Sequence, residues 1–320
     1  MPDTFVSFPH TRLHPVRQTE PFVSPVRPAE ARPAFQPAPA PLPLRLAVFH
    51  RADAARAPAA AFTFWLQLRG CARIAGAEGA FTLHAGDWIA FERGSQPELQ
   101  GGRTGLTVAL MLTPDLMAGL LEPADRGLLP GRGVLAAPER RMALRLGRAC
   151  ALPLERGDQA AVLRALRPLL QHLQAAQQDF AALVERCPGR SFHRKTRIFA
   201  RIQKARMYLE GNPQRMLRIE ELMELTRFSS WWLSKTFHAV YQETLQRASM
   251  RLRMQRARQL LQEGQLSISE LAEACGFHDP CSFARQFKAT HGQTASAWRA
   301  RHMPESPVGN EAAGSAAALH

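Results

Sequence analysis

No apolar run in the 320 residues approaches the roughly 18 consecutive positions that a membrane-spanning helix needs, so no membrane partner is expected. The opening stretch MPDTFVSFPHTRLHPV lacks the charged-then-apolar order of a secretion signal, and a cytoplasmic location is expected. The five cysteines, Cys71, Cys150, Cys187, Cys275 and Cys281, contain no CxxC pair. An odd, scattered set of this kind suits free thiols in a reducing compartment. No GxSxG, P-loop or dinucleotide fingerprint occurs, so neither an enzyme nor a cofactor is expected. Acidic side chains are also scarce: 27 Asp and Glu face 41 Lys and Arg, for a net charge of +14.

What is present describes a globular protein. Residues are 46% apolar and 21% charged, which excludes wholesale disorder, and at roughly 100 to 200 residues per domain the length suits two folded units. The positive surplus is uneven. Residues 190–302 hold 20 Lys and Arg against 9 Asp and Glu, a surplus of +11, while residues 1–60 have 7 against 4 and residues 61–189 have 14 against 12. A basic surface confined to one domain attracts a polyanion and raises its encounter rate, which points to nucleic acid. A solvated arginine-rich face would give the same count, so the choice falls to the motifs.

Residues 1–43 contain 11 of the 24 prolines and read as a disordered lead-in. From Phe62 the chain alternates, with Phe62, Phe64, Leu66 and Leu68 on one face and Thr63, Gln67 and Arg69 on the other, as a half-buried strand would. Shorter runs follow at Cys71–Ile74, Ala80–His84, Trp88–Phe91 and Leu106–Leu112, separated by Gly76, Gly79, Gly86-Asp87 and Gly101-Gly102. This pattern predicts a small antiparallel barrel or sandwich. Helical periodicity begins beyond Pro114, at Pro138–Ala149 and Asp158–Glu185, with Pro168 expected to kink or restart the second stretch. These two amphipathic helices can cover the open side of the β unit or pair with a second copy. Cys187-Pro188-Gly189 and the following HRKTR read as a linker over residues 187–196, and the tail 302–320 as disordered.

Residues 197–301 read as all helical and contain one unit twice, LMELTRF-SSWWLSKTFHAVYQ from Leu222 and LAEACGF-HDPCSFARQFKATHG from Leu271. Leu222 aligns with Leu271 and Phe228 with Phe277; one extra residue in the second turn then brings Leu233 onto Phe283 and Phe237 onto Phe287. Each copy opens with an amphipathic helix. Ser267 and Glu270 form a capping box in the second, where the first has Arg218. The following helix starts after Ser229 in one copy and after Asp279-Pro280 in the other, and two short helices joined by a tight turn are the helix-turn-helix arrangement. Away from its core pairs, each second helix presents a polar face: Ser230, Trp231, Ser234, Lys235 and His238 in the first copy, and Cys281, Ser282, Arg285 and Lys288 in the second. Arginine can fork onto guanine, lysine and serine can donate to base edges or phosphates, and tryptophan can contact a thymine methyl, a chemistry suited to a DNA major groove. Thr244–Glu263 reads as one helix between the copies, with Met250, Met254, Ala257 and Leu261 buried and Arg251, Arg253, Arg256 and Arg258 around the remainder. Cys275-x-x-His278-x-x-Cys281 has the look of a metal tripod, but Cys275 falls on a buried helix face and no metal is expected there.

Residues 197–301 resemble the AraC/XylS transcriptional regulators. The resemblance rests on R253-M254-x-x-A257-x-x-L260-L261, on ISELAEACGF from Ile268 to Phe277, on F283-A-R-Q-F287-K288 and on G292-Q-T-A-S-A-W298-R299. It implies a seven-helix domain that binds promoter DNA through two helix-turn-helix motifs and usually activates transcription. The family's usual Gly, Pro and Tyr are replaced by Gln242, Leu245 and Ala248, and its usual Pro by Ala295. The stretch LHAGDWIAFERG, from Leu83 to Gly94, is similar to the Gly-Asp hairpin of cupin-type sensor barrels. His84 stands almost alone there, so no metal site is expected. Together these give a multidomain α+β protein: a cupin-like antiparallel β-barrel with helices over residues 44–186, then an all-α domain with two helix-turn-helix motifs. Expected partners are double-stranded promoter DNA, a small-molecule effector, RNA polymerase and a second copy of the chain. The rival reading is an enzyme fused to a DNA-binding module, either cupin-type or a cysteine-dependent alkyl transferase using Cys71.

Overall fold

A computed structural model of the chain describes residues 44–50, 53–113, 116, 127–264 and 266–302. The disorder expected for residues 1–43 and 302–320 lies outside the described residues except at His302, which is helical. The β unit contains β1 (Leu44–His50), β2 (Ala54–Arg56), β3 (Phe62–Arg69), β4 (Cys71–Gly76), β5 (Gly79–His84), β6 (Asp87–Phe91), β7 (Glu98–Gly101), β8 (Leu106–Leu112) and β9 (Gly131–Val134). They form one sheet in the order β1-β8-β3-β6-β9 and a second in the order β2-β7-β4-β5, with every pairing antiparallel.

Both sheets are open, which corrects the cupin-like barrel expected from sequence: β1 and β9 bound the first sheet, β2 and β5 the second, and among the described residues no strand pairing joins the two. The reason lies in the filling between them. Trp65, Ile89 and Phe91 of one sheet meet Ile74, Phe81, Leu83 and Leu99 of the other in a core that keeps the sheets face to face, a sandwich arrangement. The edge of β5 is met by a helix end, where Gly79 bridges to Gly211.

Expectation is also corrected at β3, which is buried on both faces rather than half-buried. Its apolar face, with Phe62, Phe64 and Leu66, lies under two antiparallel helices, α1 (Ala137–Glu155) and α2 (Gln159–Ala175), which bring Cys150, Leu166, Leu169, Leu170 and Leu173 onto the sheet. The helices thus cover the β unit of their own chain. Its polar face turns into the sandwich and is satisfied internally: Trp65 Nε1 donates to Thr63 Oγ1 at 3.0 Å, and Thr107 Oγ1 donates to Gln67 Oε1 at 2.6 Å. α2 runs through Pro168 without a restart, and the expected stretch is interrupted later, before α3 (Phe180–Glu185).

The C-terminal half contains α4 (Phe192–Gly211), α5 (Ile219–Thr226), α6 (Ser230–Tyr241), α7 (Leu245–Glu263), α8 (Ile268–Ala274), α9 (Pro280–His291) and α10 (Ala295–His302). Two cores divide these helices. Phe199, Ile202, Ala205 and Leu209 of α4 pack with Leu222, Leu233, Phe237 and Val240, while Met254, Ala257 and Leu261 of α7 pack with Leu271, Phe283, Phe287 and Trp298. A fully buried side chain of this size stabilises by about 1.5–3 kcal/mol.

The two copies also repeat each other in backbone conformation. Arg227, with φ 56°, ends α5 in the left-handed region, and its counterpart Gly276 has φ 72°. Gln242, with φ 56°, ends α6, and its counterpart Gly292, with φ 73°, ends α9; each donates its N–H back into the helix, to His238 O and Lys288 O respectively. A side chain in this region costs free energy that glycine does not incur. Gln242→Gly is therefore expected to raise stability by about 0.5–1 kcal/mol, and Gly292→Gln to lower it by a similar amount, read from urea unfolding midpoints.

Candidate nucleic-acid interface

The polar faces expected from sequence lie at the surface in both copies. In α6 the residues Leu233, Thr236, Phe237 and Val240 are buried, and Ser230, Trp231, Ser234, Lys235 and His238 are all exposed on the other side. Their spacing of three and four residues sets them on one face of the helix. Ser229 caps the helix, accepting from Trp232 N. The two adjacent tryptophans diverge: Trp232 is half-buried, edge-on to Phe228, while Trp231 is 64% exposed. Lys235 Nζ stands 4.7 Å from the centre of the Trp231 ring, a cation–π contact that holds both groups over the same patch.

In α9 the buried side is Phe283 and Phe287; Cys281, Arg285 and Lys288 are exposed along the outer side, and Ser282 is half-buried. Asp279 organises the start of this helix, accepting from Cys281 N at 3.0 Å, Ser282 N at 2.9 Å and Ser282 Oγ at 2.8 Å. These hydrogen bonds, the Ser282 side chain first, hold its carboxyl below the usual carboxylate range. Ser282 Oγ in turn accepts from Arg285 Nη2 at 3.2 Å, so the exposed guanidinium is steered by the helix cap. This Asp279-Ser282-Arg285 chain went unread in the sequence, although the spacing of three residues between its members carries the signal.

A second feature missed in the sequence is Arg253, assigned there to the outer surface of the helix between the copies. It is buried. Nε donates to Cys275 O and Nη2 to Gly276 O, both at 2.7 Å, and the guanidinium lies 3.9 Å from the centre of the Phe277 ring. Burial draws its pKa below the ordinary value. The two carbonyls belong to the turn of the second copy, so α7 grips that turn through a charge-assisted fork. The turn is held from another side as well: a Cβ on Gly276 would lie 2.6 Å from Gln214 O, so only glycine fits there.

Other candidate residues do not converge. Cys275 is buried, its thiol pushed up to about 11 by burial, whereas His278 and Cys281 are exposed. Among the described residues no three His, Cys, Asp or Glu side chains gather within reach of one ion. Cys71 is an exposed free thiol at the start of β4, and the strand register sets His84 opposite it.

Comparison with known proteins bears on this same region. Residues 222–301 match a family described as a helix-turn-helix domain. The Msm operon regulatory protein of Streptococcus mutans is 29% identical over 83 residues, spanning 26% of this chain and 30% of that protein. The HTH-type transcriptional regulator CdhR of Pseudomonas aeruginosa is 32% identical over 88 residues, spanning 28% of this chain and 25% of its own length. A solved structure described as a probable AraC family transcriptional regulator from Rhodopseudomonas palustris is 29% identical, with a TM-score of 0.31, and the match covers 32% of this chain and 98% of that one. The chain therefore spans less than a third of either curated relative.

The grip of Arg253 yields a direct expectation. Arg253→Met keeps the aliphatic stem beside Phe277 and strands two buried carbonyls, at a cost of about 1–3 kcal/mol. Amide exchange should accelerate at Cys275–Phe277 while α6 keeps its protection.

Proposed function

We propose that this chain, whose C-terminal region is a double helix-turn-helix domain of the AraC/XylS type, is a sequence-specific DNA-binding transcriptional regulator. The observation that carries the reading is that α6 and α9 are each sealed on one side, capped at the N-terminus and polar to cationic on the outer side. A recognition helix needs that division: one face held by the protein, the other free to meet base edges and phosphates. Ser230, Trp231, Ser234, Lys235 and His238 would face one groove, and Cys281, Ser282, Arg285 and Lys288 the next. The 19 residues of α7 between the two units span about 28 Å, against about 34 Å for one duplex turn.

In this reading residues 197–301 form the DNA-binding domain, and residues 187–196, the last five of which already belong to α4, join it to the N-terminal unit over residues 44–186. The N-terminal unit would answer to a small-molecule effector or bring two copies together, and the DNA-bound protein would activate a promoter through RNA polymerase. Both relatives, an operon regulatory protein and a transcriptional regulator, support the regulatory half of this assignment.

Arg285→Ala tests the base-reading role. The variant should lose about 1–3 kcal/mol of discrimination at one operator position and leave the salt dependence of binding nearly unchanged. A uniform loss on every sequence with a smaller salt slope would make Arg285 a phosphate contact. Cys71→Ser should leave promoter binding intact; loss of the regulatory response with that variant would favour the cysteine-dependent enzyme.

A further inference from the structure

The two halves of the molecule meet at a seam whose chemistry DNA reading does not use. The turn between β4 and β5 lies against the last turn of α4. Asn212 Nδ2 donates to Glu78 O at 3.1 Å and to Tyr208 O at 2.9 Å, beside the bridge between Gly79 and Gly211. The approach is close. A Cβ on Gly211 would lie 2.6 Å from Glu78 O and 2.8 Å from the Phe81 ring, and one on Gly79, whose φ is +114°, would lie 2.6 Å from Gly211 O. One turn earlier in α4, Met207 is fully buried in the core between the sheets.

Glu78 is enclosed in this seam with 0% exposure. Ser95 Oγ lies 2.5 Å from its Oε1, and Lys204 Nζ of α4 is 3.7 Å from the same oxygen, beyond hydrogen-bonding distance. The ammonium group is shared, since Glu92 Oε2 lies 3.8 Å from it. Among the described residues, Oε2 of Glu78 has no hydrogen-bond partner. Lys204 and Glu92 are thus the charged groups acting on Glu78 from the elements around it, with opposite signs, while Arg132 of β9 rests over the Phe81 ring at 5.7 Å. An ionised carboxylate enclosed with one side-chain hydrogen bond, its own backbone N–H and a shared counter-charge is poorly compensated. Burial, with the Glu92 charge beside it, therefore outweighs Ser95, Lys204 and the residue's own backbone N–H and raises the pKa above the ordinary 4.5.

We propose that Glu78 is a proton-operated latch between the N-terminal sheets and the helix-turn-helix region, closed when the carboxyl is protonated and loosened when it ionises. The latch acts on α4, and α4 is also a wall of the core beneath the first recognition helix. The sign follows from linkage. The docked carboxyl has a higher pKa than the undocked one, so docking binds protons in the interval between the two values. Stability is fully present below the ordinary value of 4.5, falls as pH rises through the docked value, and is level above it. The latch lies outside DNA reading and needs no DNA for its test.

The test is urea unfolding of the full chain from about pH 5 to about pH 8, with amide exchange followed across residues 204–212. Wild type should lose both midpoint and protection as pH rises. Glu78→Gln should lack this component and keep the low-pH protection throughout. Lys204→Met, which removes the cation and leaves the seam's backbone contacts, should carry the wild-type fall to higher pH. Gly211→Ala, which wedges the seam apart, should abolish the difference between chains with and without the Glu78→Gln substitution. The latch is overturned if wild type and Glu78→Gln share one slope, if the slope has the opposite sign, or if Lys204→Met leaves the window unmoved. It is equally overturned if the Glu78-dependent slope survives undiminished in Gly211→Ala, which would confine the titration to the sheets.

Discussion

The helix Phe192–Gly211 is buried on more than one side, and the arrangement of both halves depends on that. Met207 fills the space between the two sheets, whereas Phe199, Ile202, Ala205 and Leu209 form the floor of the first helix-turn-helix unit. Tyr241, at the end of α6, donates to Gln203 of the same buried helix, and Arg186 donates to Val240 O at 3.1 Å. Close packing transmits displacement because interior side chains have few alternative positions. A shift of α4 relative to the sheets would therefore be felt at Leu233 and Phe237, beneath the face that carries Trp231 and Lys235. The second unit is one step removed, held to α7 by Arg253 rather than to the sheets. The first unit is thus the one in direct contact with the N-terminal half.

The repeat was legible because its core positions are large and regularly spaced. Leu222 with Leu271, Leu233 with Phe283 and Phe237 with Phe287 are all fully buried, and the capping residues Ser229, Ser267 and Asp279 stand at the helix starts where their side-chain chemistry put them. The exposure of Trp231 beside a half-buried Trp232 was readable for the same reason: neighbouring helical positions point about 100° apart, so the aligned core leaves only one of them outside. The structure adds that the repeat continues in the backbone, with Arg227 and Gln242 holding left-handed positions that are glycine in the second copy.

Sheet closure was not legible. Alternation along a strand reports which residues share a face and says nothing of which strand ends a sheet, so Phe62 to Arg69 suited a barrel wall and a sandwich layer equally well. The polar residues Thr63 and Gln67 suggested a solvent face; they turn inward and find Trp65 and Thr107 as partners, which only the tertiary register supplies. Arg253 misled for a related reason. An arginine on a helix is usually solvated, and its burial depends on two carbonyls 22 and 23 residues further along the chain. Of the candidate site, the outward residues of α6 and α9 could be read from periodicity, and the Asp279-Ser282-Arg285 chain left a signal in its three-residue spacing, whereas the burial of Arg253 left none.

Two reading helices, carried by one chain and set about one duplex turn apart, are the centre of the proposed function. Selection of bound sequences from random duplex DNA by the purified full chain, followed by footprinting on the selected sites, measures this most directly. The predicted result is a bipartite site with two protected major-groove segments about 10 base pairs apart, centre to centre, on one face of the duplex. Enrichment of no sequence over random competitor at low salt, with the chain folded, would contradict it.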